Sequence, residues 1–74
     1  MDTIGKRAHQ EVRNRAYKNG IAPYKEAEKL GIGCHVFNNW RIKSDPSAYY
    51  LRKMLLHGYD VIYILSGKRT VDTE

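Results

Sequence analysis

An all-α domain, a compact bundle of about five short helices, is the fold class this sequence predicts, and three observations predict it. Apolar residues recur every three or four positions through most of the chain, the spacing of one helical face. Glycine and proline interrupt those runs often enough to end most helices after a few turns. Strand signals are nearly absent: Val61, Ile62, Tyr63, Ile64 and Leu65 have β-type side chains, and five residues alone cannot make a sheet. The 74 residues fit one domain over 1–74, with an ordered core at about 3–67 and a frayed tail at 68–74.

The first helix is expected over 3–19. Thr3 can cap it, and Ile4, Ala8, Val12 and Ala16 recur every fourth residue as one apolar stripe. Lys6, Arg7, Arg13, Arg15 and Lys18 lie mainly off that stripe. Gly20 follows, where a left-handed residue ends a helix at low cost. Pro23 suits the first turn of a second helix, because its missing N–H is lost there without penalty. Ala27 and Leu30 share a face of this helix, with Tyr24 close to it, and Gly31 stops it after two turns.

Gly33 is an acceptable cap for a third helix, 34 to about 41, whose apolar side is the narrow pair Phe37 and Trp40. After the loop "RIKSDP", Asp45-Pro46 reads as a cap followed by proline at the first helical position. A fourth helix then runs to about 57, with Tyr50, Leu51, Met54, Leu55 and His57 making a broad buried side. Gly58 ends it. Asp60 can cap a fifth helix over 61–65 or 66, and Gly67 ends that.

Charge and composition narrow the function. A net charge of +5 at pH 7 favours polyanionic partners. The 42% hydrophobic content argues against a disordered chain. No apolar run approaches the roughly 20 residues of a membrane span, and the start "MDTIGKRAH" shows no signal-peptide core. The single cysteine makes no internal disulfide, so a cytoplasmic location is the default. Helix one lacks the large apolar face of a membrane-surface helix.

His9, His35 and His57 are scattered, and no spacing resembles a metal site. No glycine-rich phosphate loop follows a strand. Glu26 and Glu28 read as solvated and not as a catalytic pair. Neither an enzyme nor a cofactor is expected. Of the six tyrosines, Tyr49, Tyr50, Tyr59 and Tyr63 gather in the C-terminal half, as core or rim residues with their hydroxyls in water.

The segment "PYKEAEKLGIGCHVFNNW" carries the most information. Two short helices joined by a three-residue glycine-containing turn are the pattern of a helix-turn-helix. Small Ala27 lets the helices cross closely, Gly31 supplies a positive φ, Ile32 plugs the corner, and Phe37 and Trp40 turn inward. That leaves Cys34, His35, Asn38 and Asn39 facing away, small or polar and none acidic. Asparagine pairs bidentately with adenine. The free N–H groups at Gly33 and Cys34 suit a phosphate, and Arg41 and Lys43 follow as backbone clamps. The alternative for Asn38 and Asn39 is plain solvation on the outer side of a core helix.

These residues resemble the helix-turn-helix of the Cro and lambda-repressor superfamily, which includes phage repressors. The Ala27, Gly31, Phe37 and Trp40 framework and the turn "LGIG" carry the likeness. A second match, "LLHGYDVIYILSGKR", is similar to the closing segment of those domains. Together they cover about 4–69. The resemblance implies a five-helix bundle whose third helix lies in the major groove, with Cys34, His35, Asn38 and Asn39 at base edges. It also implies phosphate contacts from Tyr24, Lys25, the Gly33 N–H, Arg41 and Lys43, and binding as a homodimer. Three features depart from the family pattern. Pro23 stands where a phosphate-gripping Gln is common, Cys34 and His35 are unusual at base-reading positions, so the specificity does not carry over, and Gly33 cannot cap through a side chain.

The expectation is therefore a sequence-specific double-stranded DNA-binding transcriptional regulator, a repressor of phage or mobile-element type. Val61, Ile62, Tyr63 and Leu65, on a helix apolar nearly all round, either form a dimer surface or pack on helices one and four. The other reading is a helix-turn-helix-fold protein-interaction module, an antirepressor or adaptor, acting through the tyrosine-rich C-terminal surface.

Overall fold

The computed structural model describes residues 2–68. Of the expected tail, residues 69–74 lie outside the described ones. Five helices follow one another, α1 (Ile4–Asn19), α2 (Pro23–Lys29), α3 (Cys34–Ile42), α4 (Ala48–Leu56) and α5 (Val61–Ser66). No strand occurs among the described residues. The all-α expectation holds, and the apolar run at 61–65 is helical.

α1 is the element on which the others assemble: α2, α3 and α5 all pack against it. Its stripe of Ala8, Val12 and Ala16 is fully buried, and Ile4 packs half-buried at the edge. Thr3 Oγ1 accepts the Lys6 N–H at 3.1 Å, and Gly20 at φ 72° ends the helix. These small side chains let backbones approach. At Gly5 the approach is closest: a Cβ there would stand 2.1 Å from the Ser44 carbonyl oxygen and 2.4 Å from that of Trp40.

The core forms where α1 meets the α2–α3 pair. Ala27, Leu30, Ile32, Phe37 and Trp40 are buried there with Met54, Tyr59 and Ile64. Gly31 takes φ 77° in the connecting turn, as the tight corner requires. Trp40 meets Phe37 and Tyr50 edge-on, with ring centroids 6.1 and 5.8 Å apart.

α4 departs from expectation. It starts at Ala48, after an N-cap Ser47 that makes no side-chain cap bond. Asp45 caps a different helix: its Oδ1 accepts the Gly5 N–H of α1 at 2.8 Å. Pro46 is buried in the connection instead of opening a helix. The buried side of α4 is also narrower than its composition suggests. Met54 is buried and Tyr50 and Leu51 are half-buried, whereas Leu55, Leu56 and His57 are exposed. A helix starting two residues late presents less of its length to the core.

The helix C-termini are satisfied from α1. Arg7 donates through Nε to the Ile64 carbonyl at 2.8 Å and through its terminal nitrogens to Leu65 and to the Asp2 carboxylate. Arg15 donates to the His57 and Gly58 carbonyls and lies over the Tyr59 ring. Cations at helix C-terminal ends meet both unpaired carbonyls and the negative end of the dipole. Asp60 Oδ1 accepts the Tyr63 N–H at 3.0 Å and so caps α5, as expected.

Glu26 is not solvated. It is buried, and its carboxylate accepts the Tyr59 hydroxyl at 3.2 Å and the Asn19 amide at 3.4 Å. Tyr59 is correspondingly buried, a core residue whose hydroxyl donates to the Glu26 carboxylate. Burial, and then the Glu26 carboxylate, push its phenol above the ordinary range, while Arg15 opposes them. Glu28 is exposed, so no carboxylate pair forms.

Candidate nucleic-acid interface

α3 has two unlike sides. Phe37 and Trp40 are buried and Val36 is half-buried against the core. At about 100° per residue, the helical repeat turns 34, 38 and 42 to one face and 35 beside it. Cys34, His35 and Asn38 are all exposed there, while Asn39 is half-buried at the border. Three of the four expected base-reading residues therefore share one open surface, and Asn39 stands at its edge. α3 also extends one residue past the expected end, to Ile42.

α3 is held from behind by a residue the sequence pattern did not single out. His9 of α1 is buried, and its ring stacks on Phe37 with centroids 4.2 Å apart and planes 17° apart. Its pKa is lowered by burial first, then by the Arg13 and Arg41 guanidiniums. The signal was present: positions 5 and 9 lie four apart beside the apolar stripe of 8, 12 and 16, and all five are buried.

Of the expected phosphate contacts, Gly33, Arg41 and Lys43 stand at the two ends of α3. Arg41 and Lys43 are exposed at its C-terminal end, and no acidic residue lies between Glu28 and Asp45. Gly33 is the N-cap of α3 at φ −68°, with no side-chain cap bond. A Cβ at Gly33 would meet nothing within 4 Å. Neither conformation nor packing within the chain therefore calls for glycine there, and its absent side chain leaves the α3 N-terminus open. Tyr24 is not on the apolar face of α2: it is 51% exposed, with the Lys25 ammonium 5.9 Å from its ring centre.

The expected dimer residues divide. Val61 and Tyr63 are half-buried against the core, whereas Ile62 and Leu65 are 59% and 46% exposed. α5 packs on both α1 and α4, but that packing does not cover its outer side. The open apolar surface at this end comes from Leu55, Leu56, Ile62 and Leu65 more than from tyrosines. Among the described residues no cluster of His, Cys, Asp and Glu could hold a metal ion, and no helix is long and apolar enough to cross a membrane. No protein-family model, no curated protein and no solved structure matches the chain.

Proposed function

We propose that the chain is a sequence-specific double-stranded DNA-binding regulator in which α2 and α3 form a helix-turn-helix and α3 enters the major groove. One observation carries this reading. Apart from Ile42 at its last turn, the outer face of α3 is small or polar and free of acid, opposite its buried Phe37 and Trp40, with Arg41 and Lys43 at one end and bare Gly33 at the other. A helix of this width fits the major groove, and asparagine amides match adenine there. Asn38, on the open face, is the principal reader; Cys34 and His35 flank it, and Asn39 reads from the rim. Tyr24, Lys25, the Gly33 N–H, Arg41 and Lys43 hold phosphates, a sequence-independent and salt-sensitive contribution. Ile62 and Leu65, with Leu55 and Leu56, provide the surface for a two-fold homodimer.

Selection from a randomised duplex pool at near-physiological salt tests this reading. The expected result is an enriched inverted repeat with half-sites about one helical turn, roughly 34–36 Å, apart. Asn38→Ala should then weaken specific binding by about 1–3 kcal/mol with no change in melting temperature. No enrichment, despite tight binding at low salt, would leave charge alone at work and overturn the reading.

The exposed leucines favour a second reading, a protein-interaction module of the same fold. Its mark is a stoichiometric protein complex that competing duplex does not dissociate and that Leu56→Ser abolishes.

A further inference from the structure

Ile42 is the large apolar residue on the otherwise polar face of α3. It is 64% exposed, and it follows Cys34 and Asn38 at intervals of four along one side of the helix. The core takes Val36, Phe37 and Trp40 from the opposite side, so the fold has no use for an isoleucine at this position. The cations extend equally far: Lys6 of α1 and Lys43 line the same recess as Ile42, between the end of α3 and the start of α1. Asp45 also borders that recess, and one of its carboxylate oxygens accepts the Gly5 N–H.

We propose that Ile42 is a specificity residue that reads a thymine through its 5-methyl group. This rests on the DNA reading above. The methyl group is the one apolar feature the major-groove edge of a base pair offers, and aliphatic side chains are its natural partners. Ile42 lies about 6 Å along α3 from Asn38, nearly two base-pair steps of about 3.4 Å. The thymine it contacts is therefore one or two steps from the adenine that Asn38 pairs with.

The test replaces each thymine of the selected site singly with uracil, which removes only the methyl group. Kd is measured for the parent and for Ile42→Ala at fixed salt. One thymine per half-site should lose about fourfold in parent affinity on replacement, the effect of one buried methyl-sized group. Ile42→Ala should bind the thymine and uracil versions of that site equally, with an unchanged melting temperature. A parent indifferent to every replacement would overturn the proposal, as would an Ile42→Ala variant showing the parent's ratio. A parent that enriches a site but ignores its methyl groups removes Ile42 alone. A parent that enriches no site removes the DNA reading with it.

Discussion

The start of α1 against the end of α3 and the end of α4 beside α5 are built in opposite ways. At the first, backbones nearly touch across Gly5, Trp40 fills the space beneath, and Asp45 bonds to a helix forty residues away in sequence. At the second, Leu55, Leu56, Ile62 and Leu65 are open to solvent, although their composition suits a core. Apolar side chains alone do not decide what this bundle buries. Close packing follows where small residues and a polar tie bring backbones together. Without them a leucine-rich helix end stays outside.

Substitutions at the two ends break that contrast in a graded order. Trp40→Ala, a large-to-small change in the best-packed region, should cost about 3–5 kcal/mol in chemical denaturation. An unchanged midpoint would contradict its place in the core. Gly5→Ala comes next. In a free helix alanine is favoured over glycine by about 1 kcal/mol, but here its methyl group meets two backbone carbonyls. A net loss of about 1–3 kcal/mol, typical of overpacking, is expected from the same denaturation curve; a gain would mean that α1 and α3 separate easily.

How much of this was legible beforehand depends on whether a residue's partner is near it in sequence. Gly20, Gly31, Gly58 and Gly67 all take the positive φ that their places after helical runs suggest. Ala27, Ile32, Phe37 and Trp40 are buried at the spacing that marked them. Cys34, His35 and Asn38 are exposed because they lie on the side of α3 opposite Val36, Phe37 and Trp40, which face the core. Asp45 has the chemistry of a cap either way; nothing local says that its partner is Gly5 and not a residue of α4. Glu26 looks like any helix glutamate, and its burial depends on Asn19 and Tyr59, seven and thirty-three positions away. Ile42 lay one residue past the expected end of α3, so its alignment with Asn38 was not visible.

His9 offers a smaller effect at the junction itself. Its folded-state pKa lies below the ordinary value of 6.5, so the native state binds fewer protons than the unfolded one below neutrality. The stability this neutral imidazole supports is fully present above about pH 6.5. It is lost as pH falls through 6.5 toward the lower folded value. His9→Phe keeps a ring against Phe37 and should flatten part of the stability decline between about pH 7 and pH 5; parallel curves would locate that decline elsewhere. The smallest change belongs to the other end. Leu56 is 69% exposed, and Leu56→Ser should stay within about 0.5 kcal/mol of the parent. A larger loss in the monomer would show that α4 buries more than one side.

Arg7 joins three places at once: Asp2 before α1, and the Ile64 and Leu65 carbonyls of α5. A six-residue helix is far below the ~12–15 residues at which isolated helices become even marginal in water. α5 therefore exists only while α1 is present to receive it. In the language of hydrogen exchange, the two are one opening unit. The α5 amides should exchange with the free energy of global unfolding and not of a fraying end. The last described helix should thus be as persistent as the first, with the Arg7 guanidinium joining the two.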